Sequence, residues 1–196
     1  MTVLSGLRMS IPQPPRPAKL VIGLLLGRKE PFPDVAAELE AAFGGPDLVS
    51  PWMPFHYTTY YEKEMGSGLL RRVLAFRTMI SQDRLTEIKL ATNAMEQARA
   101  VGGRRRVNID PGYLLLERFV LATGKNFSHR IYLGQGIYAD LTLIYQHGEF
   151  QTLPWTYPDY ADRPLRRFLL AVRGKYARDL KAEFPEARIG GERPDD

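Results

Sequence analysis

Apolar residues in the first half of the chain fall into short runs and helical stripes. Residues 19–26 are dense in apolar side chains and end at a glycine, which predicts a buried β-strand. Residues 32–43 carry apolar side chains at helical spacing, with a proline in the first turn and a glycine pair as the stop, and they predict an α-helix. Residues 47–55 contain two prolines, which favours an extended sheet edge, and residues 69–79 predict a further strand.

A second helix and a return strand complete this half. The helix is predicted over 83–100, where apolar residues share one face and a glycine pair follows. A strand is predicted over 105–109, ending in an Asp-Pro-Gly turn. The order strand, helix, strand, strand, helix, strand favours a ferredoxin-like α+β sandwich, in which both helices cover one face of an antiparallel or mixed sheet.

Strand signals dominate the second half. Residues 119–122, 130–133, 137–145 and 149–153 are rich in β-branched and aromatic side chains, which favours four more strands. The Gln-His-Gly sequence at 146–148 predicts a hairpin turn between the last two of them. We expect these hairpins to extend the sheet.

The last element is a helix with clear boundary signals. Asp162 is placed to cap it, Pro164 lies just inside, and apolar residues then recur along one face. Residues 18–184 are therefore predicted to form one α+β domain. The proline-rich leader, 1–17, and the polar tail, 185–196, are predicted to be disordered.

Composition and charge narrow the function classes. The chain has 196 residues, no cysteine and a formal net charge of +5. The lack of cysteine excludes disulfides, Cys-ligated metals and thiol catalysis, while the modest basic surplus permits phosphate or nucleic-acid binding without requiring it. No run approaches the roughly 20 apolar residues of a membrane helix. Since the N-terminal residues also lack a signal-peptide pattern, we expect a cytoplasmic protein without membrane association.

Familiar catalytic signatures are incomplete. The pair Gly124-Lys125 is followed by asparagine and lacks the upstream glycine of a P-loop. The Gly-Gln-Gly sequence at 134–136 lacks the third glycine of a dinucleotide fingerprint. The three histidines have no ligand-like spacing, so no metal site is predicted.

The segment from Arg104 to Tyr113 is the strongest candidate for a site. A basic run enters the predicted strand, and strand alternation places Arg106, Asn108 and Asp110 on one face. A guanidinium, an amide and a carboxylate in line suit an anion or nucleotide pocket. Alternatively, Asp110 hydrogen-bonds its own turn and Asn108 satisfies the backbone.

A polar stripe follows the second predicted helix. Lys89, Thr92, Asn93 and Glu96 lie at helical spacings of three and four residues. Because Thr92 shares a side with the apolar residues of this helix, the stripe is expected to border a crevice against the sheet. A solvated helix face is the alternative.

Basic residues also follow the first strand of the second half. Lys125, His129 and Arg130 are expected to place cationic donors at one end of the sheet. Like-charge repulsion would keep His129 neutral, so that it can act as a general base near Asp110. The alternative is a surface histidine in a loop.

Two further segments carry candidate residues. Glu64, in a tyrosine-rich connection between strands, is a candidate acid or magnesium ligand, unless it serves only loop solubility. Trp155 and Tyr157 offer aromatic faces on which a nucleobase can stack. Alternatively, these aromatics pack the last helix onto the domain.

Several of these segments resemble one family. The string Asn-Ile-Asp-Pro-Gly-Tyr at 108–113 is similar to the signature of a bacterial and archaeal family named domain of unknown function 4416. Further segments resemble the same family in the same order, namely 60–66, 92–93, 129–133 and 155–160. The likeness covers about residues 18–182 and implies a domain over nearly the whole chain. It implies no activity, since none is established for the family.

The hypothesis that these residues favour is an enzyme or enzyme-like protein that binds an anionic small molecule, such as a nucleotide or phosphoester. Asp110, His129 and Glu64 would perform acid–base or metal chemistry. The ligand-binding candidates are Lys89, Asn93, Glu96, Arg104, Arg106, Asn108, Lys125, Arg130, Trp155 and Tyr157.

Two alternatives stay open. One is an RNA-associated module that uses Arg71, Arg72, the basic run 104–106 and the late aromatic residues. The other is a structural or partner-binding protein without catalysis. Carboxylates interspersed with cations favour the small-molecule hypothesis, because a surface for polyanions should avoid acidic side chains. The sequence identifies no cofactor, and it leaves catalysis and oligomeric state undetermined.

Overall fold

The computed structural model describes residues 11–184, which form an open antiparallel sheet of nine strands and five helices. The strands are β1 (Ala18–Leu26), β2 (Pro46–Val49), β3 (Met53–Pro54), β4 (Leu70–Ile80), β5 (Val107–Leu114), β6 (Arg118–Thr123), β7 (Arg130–Gly134), β8 (Ile137–Gln146) and β9 (Glu149–Thr152). The helices are α1 (Phe32–Phe43), α2 (Glu62–Met65), α3 (Leu85–Ala98), α4 (Pro158–Ala161) and α5 (Arg163–Glu183), with a short 3₁₀ turn at Gln82–Arg84.

Strand β1 lies inside the sheet and organises the core. The strand order is β2-β4-β1-β5-β6-β8-β7, with β3 also paired to β4 and β9 also paired to β8. All nine residues of β1 are buried, as a near-continuous apolar run requires. One hydrophobic core joins this strand to α1, α3 and α5, through residues such as Val35, Ile88 and Leu169.

The predicted α+β class and antiparallel sheet are confirmed, and the long helices lie where the sequence predicts them, whereas the short helices α2 and α4 were not predicted. Asp162 caps α5 by accepting a hydrogen bond from the backbone N–H of Arg163, with a proline in the first turn. In the turn between β8 and β9, His147 and Gly148 both have positive φ, the geometry of a tight hairpin. Residues 11–17 have no regular secondary structure. The rest of the predicted leader and the tail, 185–196, lie outside the described residues.

The predicted Asp-Pro-Gly turn is wrong, because β5 runs straight through it. All eight residues of β5 pair with β1, including Pro111 opposite Ile22. The backbone N–H of Ile109 points away from β1 to a carboxylate, so the nitrogen of Pro111, two residues on, faces that same side. Proline is tolerated there because that side of the strand has no ladder to complete at this point.

Strands β5 and β6 separate on the N-terminal side of Gly112 in β5. They pair only at Gly112–Leu114, and a Cβ on Gly112 would lie 2.4 Å from the carbonyl oxygen of Val120, so glycine permits the close approach. Over residues 107–111, β5 has no strand neighbour on this side within the described chain. Two side chains of α3 satisfy the open backbone of Ile109 instead. Glu96 Oε1 accepts from its N–H at 2.6 Å, and Lys89 Nζ donates to its carbonyl at 2.9 Å.

Candidate functional site

The fork between β5 and β6 opens into a cavity of about 640 Å³. Its walls come from β5, β6 and α3, and from the connections that follow β3 and β9. Five tyrosines line it, namely Tyr57, Tyr60, Tyr61, Tyr157 and Tyr160. The ionisable lining residues are Arg71, Lys89, Arg105 and Lys125, and Glu96, Asp110, Asp140 and Asp159. Charges of both signs therefore share one aromatic enclosure.

A buried arginine forms the floor of this cavity. Arg71, on β4, lies between two carboxylates, with Nη1 3.0 Å from Asp110 Oδ2 and Nη2 2.6 Å from Asp159 Oδ2. Its guanidinium also lies over the ring of Tyr160, 5.6 Å from the centroid. Gly23 of β1 makes room for both groups, because a Cβ there would lie 2.8 Å from the Tyr160 hydroxyl and 3.1 Å from Arg71 Nη1. We call Arg71, Asp110 and Asp159 the floor triad.

The two carboxylates of the floor triad titrate in opposite directions. Burial raises the pKa of Asp159 above its usual value, and attraction to Arg71 offsets this only in part. Burial acts on Asp110 in the same sense, but Arg71 and Lys89, with the hydrogen bonds from Arg71 and Asn108, outweigh it, and the pKa of Asp110 is lowered. Asp110 is also the more accessible, with 24% of its side chain exposed against 8% for Asp159.

Buried polar atoms near the floor lack hydrogen-bond partners. Tyr160 is 2% exposed, and its hydroxyl has no partner in the part of the chain that the structure describes. Burial raises the pKa of Tyr160, so this hydroxyl stays protonated. Arg71 Nε is unpartnered in the same sense, and the contact between Arg71 and Asp159 Oδ2 is an ion pair without hydrogen-bond geometry. Such atoms are uncommon in proteins, and here they border a cavity.

Arg105 connects the floor to α2. The Asn108 amide donates to Asp110 Oδ2 at 2.7 Å and accepts from Arg105 Nη1 at 3.0 Å. Arg105 in turn donates two hydrogen bonds to the Glu64 carboxylate, at 2.6 and 3.0 Å. The hydrogen bond from Arg105 lowers the pKa of Glu64. Glu64 is thus an anchor for Arg105 beside the cavity and does not line it.

The structure does not bring Arg104 and Arg106 to this cavity. Both side chains are exposed, and neither lines the cavity. Strand alternation does not reach them because β5 begins at Val107, after a turn in which Gly102 and Gly103 have positive φ. The predicted face keeps Asn108 and Asp110, and Arg105 supplies the guanidinium.

Another carboxylate of the lining, Asp140, lies on β8. It accepts from Arg130 Nε at 2.9 Å and lies 3.2 Å from His129 Nε2. Arg130 also donates to the Tyr157 hydroxyl at 2.5 Å, and the His129 ring stacks on Trp155 with centroids 4.7 Å apart. The basic setting predicted for His129 also contains a buried carboxylate, Asp140, which adjoins its ring.

Lys125 differs from the other cations of the lining. Arg71 and Arg105 are ion-paired and Lys89 is buried against a carbonyl, whereas Lys125 is exposed, in the loop after β6. Among the described residues, its Nζ has only the Tyr60 hydroxyl as a hydrogen-bond partner, at 3.3 Å. The same Nζ lies 4.6 Å from the centroid of the Tyr60 ring. The hydrogen bond from Lys125 lowers the pKa of Tyr60. We call Lys125 and Tyr60 the cationic rim.

The structure thus divides the sequence candidates into three groups. Those that line the cavity are Lys89, Asn93, Glu96, Asn108, Asp110, Lys125 and Tyr157. Three candidates contact a lining residue without lining the cavity themselves, namely Glu64, His129 and Arg130. Trp155 stacks on the ring of His129. Arg104 and Arg106 lie apart. The sequence analysis did not single out Asp159 and Tyr160, and it assigned Arg71 and Arg105 to an RNA surface, although the Arg71 side chain is only 5% exposed.

Among residues 11–184, no group of three histidine, aspartate or glutamate side chains is arranged to hold a metal ion. The helices in this range include none that is long and apolar enough to span a membrane.

Fold and site together define an α+β protein that carries a polar, aromatic cavity in a forked antiparallel sheet. The sequence model of the family described as domain of unknown function DUF4416 matches residues 16–176, and the chain belongs to this family. Searches of curated proteins and of solved structures found no match.

Proposed function

We propose that the protein is an enzyme-like protein that binds an anionic small molecule, such as a nucleotide or phosphoester, in the cavity at the sheet fork. The observation that carries the proposal is a ligand-sized cavity with a free cation at its rim and oppositely shifted carboxylates at its floor. Small-molecule sites usually occupy about 300–1,000 Å³, and this cavity falls inside that range.

The cationic rim supports an anionic group on the ligand. Lys125 Nζ has no carboxylate within ion-pair distance among the described residues, so a ligand anion would not have to displace one. Thr123, the last residue of β6, and Gly124, the first of the loop, also line the cavity beside Lys125. An ammonium, a threonine hydroxyl and an exposed glycine backbone are common contacts of a phosphate or carboxylate.

The floor triad supports acid–base chemistry. Because its pKa is raised, Asp159 keeps a proton to higher pH than Asp110, and the two offer an acid and a base on either side of Arg71. Pairs of carboxylates whose environments separate their pKa values are a common basis for such roles. Glu64 and His129 act in this proposal as positioning residues, since they hold Arg105 and adjoin Asp140.

The scaffold in this proposal is a ferredoxin-like half extended by hairpins. The strand order β2-β4-β1-β5, with α1 after β1 and α3 after β4, supports that assignment. A cytoplasmic location remains a prediction from the sequence. An RNA-associated role has less support, because Arg71 is buried and Arg72 lies against the rings of Phe32 and Trp52.

A thermal-shift titration tests the proposal. Inorganic phosphate, sugar phosphates and nucleoside monophosphates are titrated against the whole chain, and at least one should raise Tm with the logarithm of its concentration. Lys125→Ala should weaken that ligand by about 1.5–3 kcal/mol, or tenfold or more, because a charge-assisted hydrogen bond is lost. Lys181→Ala is the matched control, since Lys181 is an exposed lysine on α5 outside the cavity.

Two results would contradict it. One is a wild-type Tm that stays flat across the panel. The other is a ligand whose binding is unaffected by Lys125→Ala. Strongly salt-dependent oligonucleotide binding that weakens in Arg104→Ala and Arg106→Ala would instead support the RNA-associated alternative.

A further inference from the structure

We propose that the ligand of this cavity is amphoteric: it carries an amino or amidino group that reaches Asp110 and an acidic group that reaches Lys125. The inference rests on the proposed function and names the chemical class of the ligand. An amino-bearing phosphate or carboxylate fits it, whereas an anion whose inner end offers only carbonyl oxygens does not.

The first argument is the charge of the side chains at the floor of the cavity. The floor triad contains one cation and two carboxylates, and all three side chains are at least three-quarters buried. Asp110 is ionised at neutral pH, because its pKa is lowered. Burial raises the pKa of Tyr61, Tyr157 and Tyr160, and the charge of Asp110 adds to the rise at each of them, against the opposing charge of a nearby arginine. A ligand group at the floor therefore meets the partly exposed Asp110 carboxylate, since the Arg71 side chain is only 5% exposed.

Hydrogen-bonding capacity carries the second step. An ionised carboxylate only accepts hydrogen bonds, so the group that faces Asp110 must donate. Asp110 Oδ2 already accepts from Arg71 and from Asn108, while its side chain keeps 24% of its surface exposed in the cavity. A carbonyl oxygen in that position would face the carboxylate without a proton between them. An amino group would supply one.

The Tyr160 hydroxyl carries the third step. It lies at the floor beside Gly23 and Arg71, is buried, and has no hydrogen-bond partner among residues 11–184. A buried hydroxyl left unpaired costs stability, and phenylalanine would fill the same space without that cost. A protonated hydroxyl can accept from a ligand amino group, so the same donor can satisfy Tyr160 and Asp110.

The cationic rim fixes the other end of the ligand. Lys125 belongs to the loop after β6, whereas Asp110 and Arg71 belong to β5 and β4, so rim and floor come from different elements of the lining. A ligand that satisfies both places a hydrogen-bond donor at one end and an acidic group at the other.

Matched ligand pairs test the inference. Adenosine and purine riboside monophosphate share ring, sugar and phosphate and differ by an amino group against a hydrogen, as do cytidine and pyrimidin-2-one riboside monophosphate. Calorimetric titration of the whole chain should give an affinity at least about tenfold higher for the amino member of one pair, because a site built for a donor rejects the analogue that lacks it. In Lys125→Ala both members should weaken by a similar factor.

Tyr160→Phe separates a ligand-binding role from a structural one. Since the hydroxyl has no partner within residues 11–184, the unliganded Tm should stay equal or rise, while the amino member should lose affinity by several-fold. Tyr138→Phe is the matched control, because Tyr138 lies on β8 and does not line the cavity. Asp110→Asn should reduce the preference for the amino member. If that variant fails to fold, Tyr160→Phe still decides.

Each other outcome overturns a defined statement. If both members bind equally and both depend on Lys125, the donor inference is wrong and the proposed function stands. Tighter binding of the member without the amino group has the same consequence. If no member of either pair, and no phosphate of the wider panel, binds the wild type, both fail. A lower unliganded Tm in Tyr160→Phe with unchanged affinity would assign the hydroxyl to the fold.

Discussion

Two regions of the molecule each hold a buried cation between two carboxylates, and they differ in what surrounds them. Arg71 lies between Asp110 and Asp159 at the floor of the cavity. Lys19 lies between Asp47 and Asp179, at 2.6 and 3.1 Å, and its side chain is fully buried.

The Lys19 region has the character of a structural tie. A second lysine, Lys175, contacts the same two carboxylates at 3.2 and 2.8 Å, so two cations balance two anions. These four side chains connect β1, β2 and α5 through ion pairs, and none of them lines the cavity. The floor triad lacks a second cation of its own and opens onto the cavity.

The comparison shows which features identify a site. A buried charge does not, since both regions have one, and an unpartnered atom alone does not, since Asp47 Oδ1 is also unpartnered within the described residues. The floor triad adds a cavity, a partly exposed carboxylate and a nearby buried tyrosine hydroxyl that has no partner among residues 11–184. Function is inferred from that combination.

The largest expected effect follows from breaking the tie. Lys19→Met leaves Asp47 and Asp179 buried with one lysine between them, and it should lower the free energy of unfolding by about 3–5 kcal/mol. Urea denaturation measures this loss. Lys181→Met, at an exposed lysine on α5, should stay within about 0.5 kcal/mol of the wild type.

The tie should be separable from ligand binding. The ligand-induced rise in Tm, measured from each variant's own baseline, should be the same in Lys19→Met as in the wild type. If Lys19→Met instead abolished it, the two regions would be coupled, and the distinction between a tie and a site would be wrong.

Local signals in the sequence predict the elements well because each depends on a few neighbouring residues. The proline and glycine signals around α1, the Asp162 cap of α5 and the alternation in β8 are examples. The fork of the sheet depends on where β5 and β6 stop pairing, which is a long-range property. The Asp-Pro-Gly sequence therefore resembled a turn, although Pro111 has a paired strand on one side only.

The candidate site was predictable where a regular period held. Helical spacing found Lys89, Asn93 and Glu96, and strand alternation found Asn108 and Asp110. The same alternation extended past Val107 gave Arg106, where the backbone has already left the strand. A usable signal for Arg71 existed in the strand pattern, since Arg71 lies on the same strand face as the buried residues Val73 and Ala75. No local pattern could find Asp159, because α4 has only four residues.

The pH dependence of stability should separate the two regions further. Asp110 and Asp179 have lowered pKa values, because basic partners outweigh burial, so each contributes stability that is lost as pH falls through its folded-state pKa. Asp159 has a raised pKa, so its ionisation opposes folding, and protonating it on acidification relieves that cost.

Single isosteric variants reveal these opposite signs. The stability of the wild type relative to Asp159→Asn should fall as pH rises from the usual aspartate pKa to the raised one. Relative to Asp110→Asn or Asp179→Asn it should rise as pH climbs from the lowered value to the usual one. Urea denaturation over an acidic pH series measures all three differences. Equal signs for Asp110 and Asp159 would remove the acid–base pair from the proposed function.

The smallest expected effect concerns the outer lysine of the tie. Lys175 is 27% exposed and lies one helical turn from Asp179, so its ion pairs are partly screened by solvent. Lys175→Met should therefore cost less than about 1 kcal/mol, and the cost should shrink at high salt. Lys19→Met should keep most of its larger loss at high salt, because water and ions do not reach that ammonium. Urea denaturation at low and high salt compares the two. Similar, salt-sensitive losses would mean that both lysines act as surface partners, and the buried tie would then be no more than a solvated ion cluster at the sheet edge.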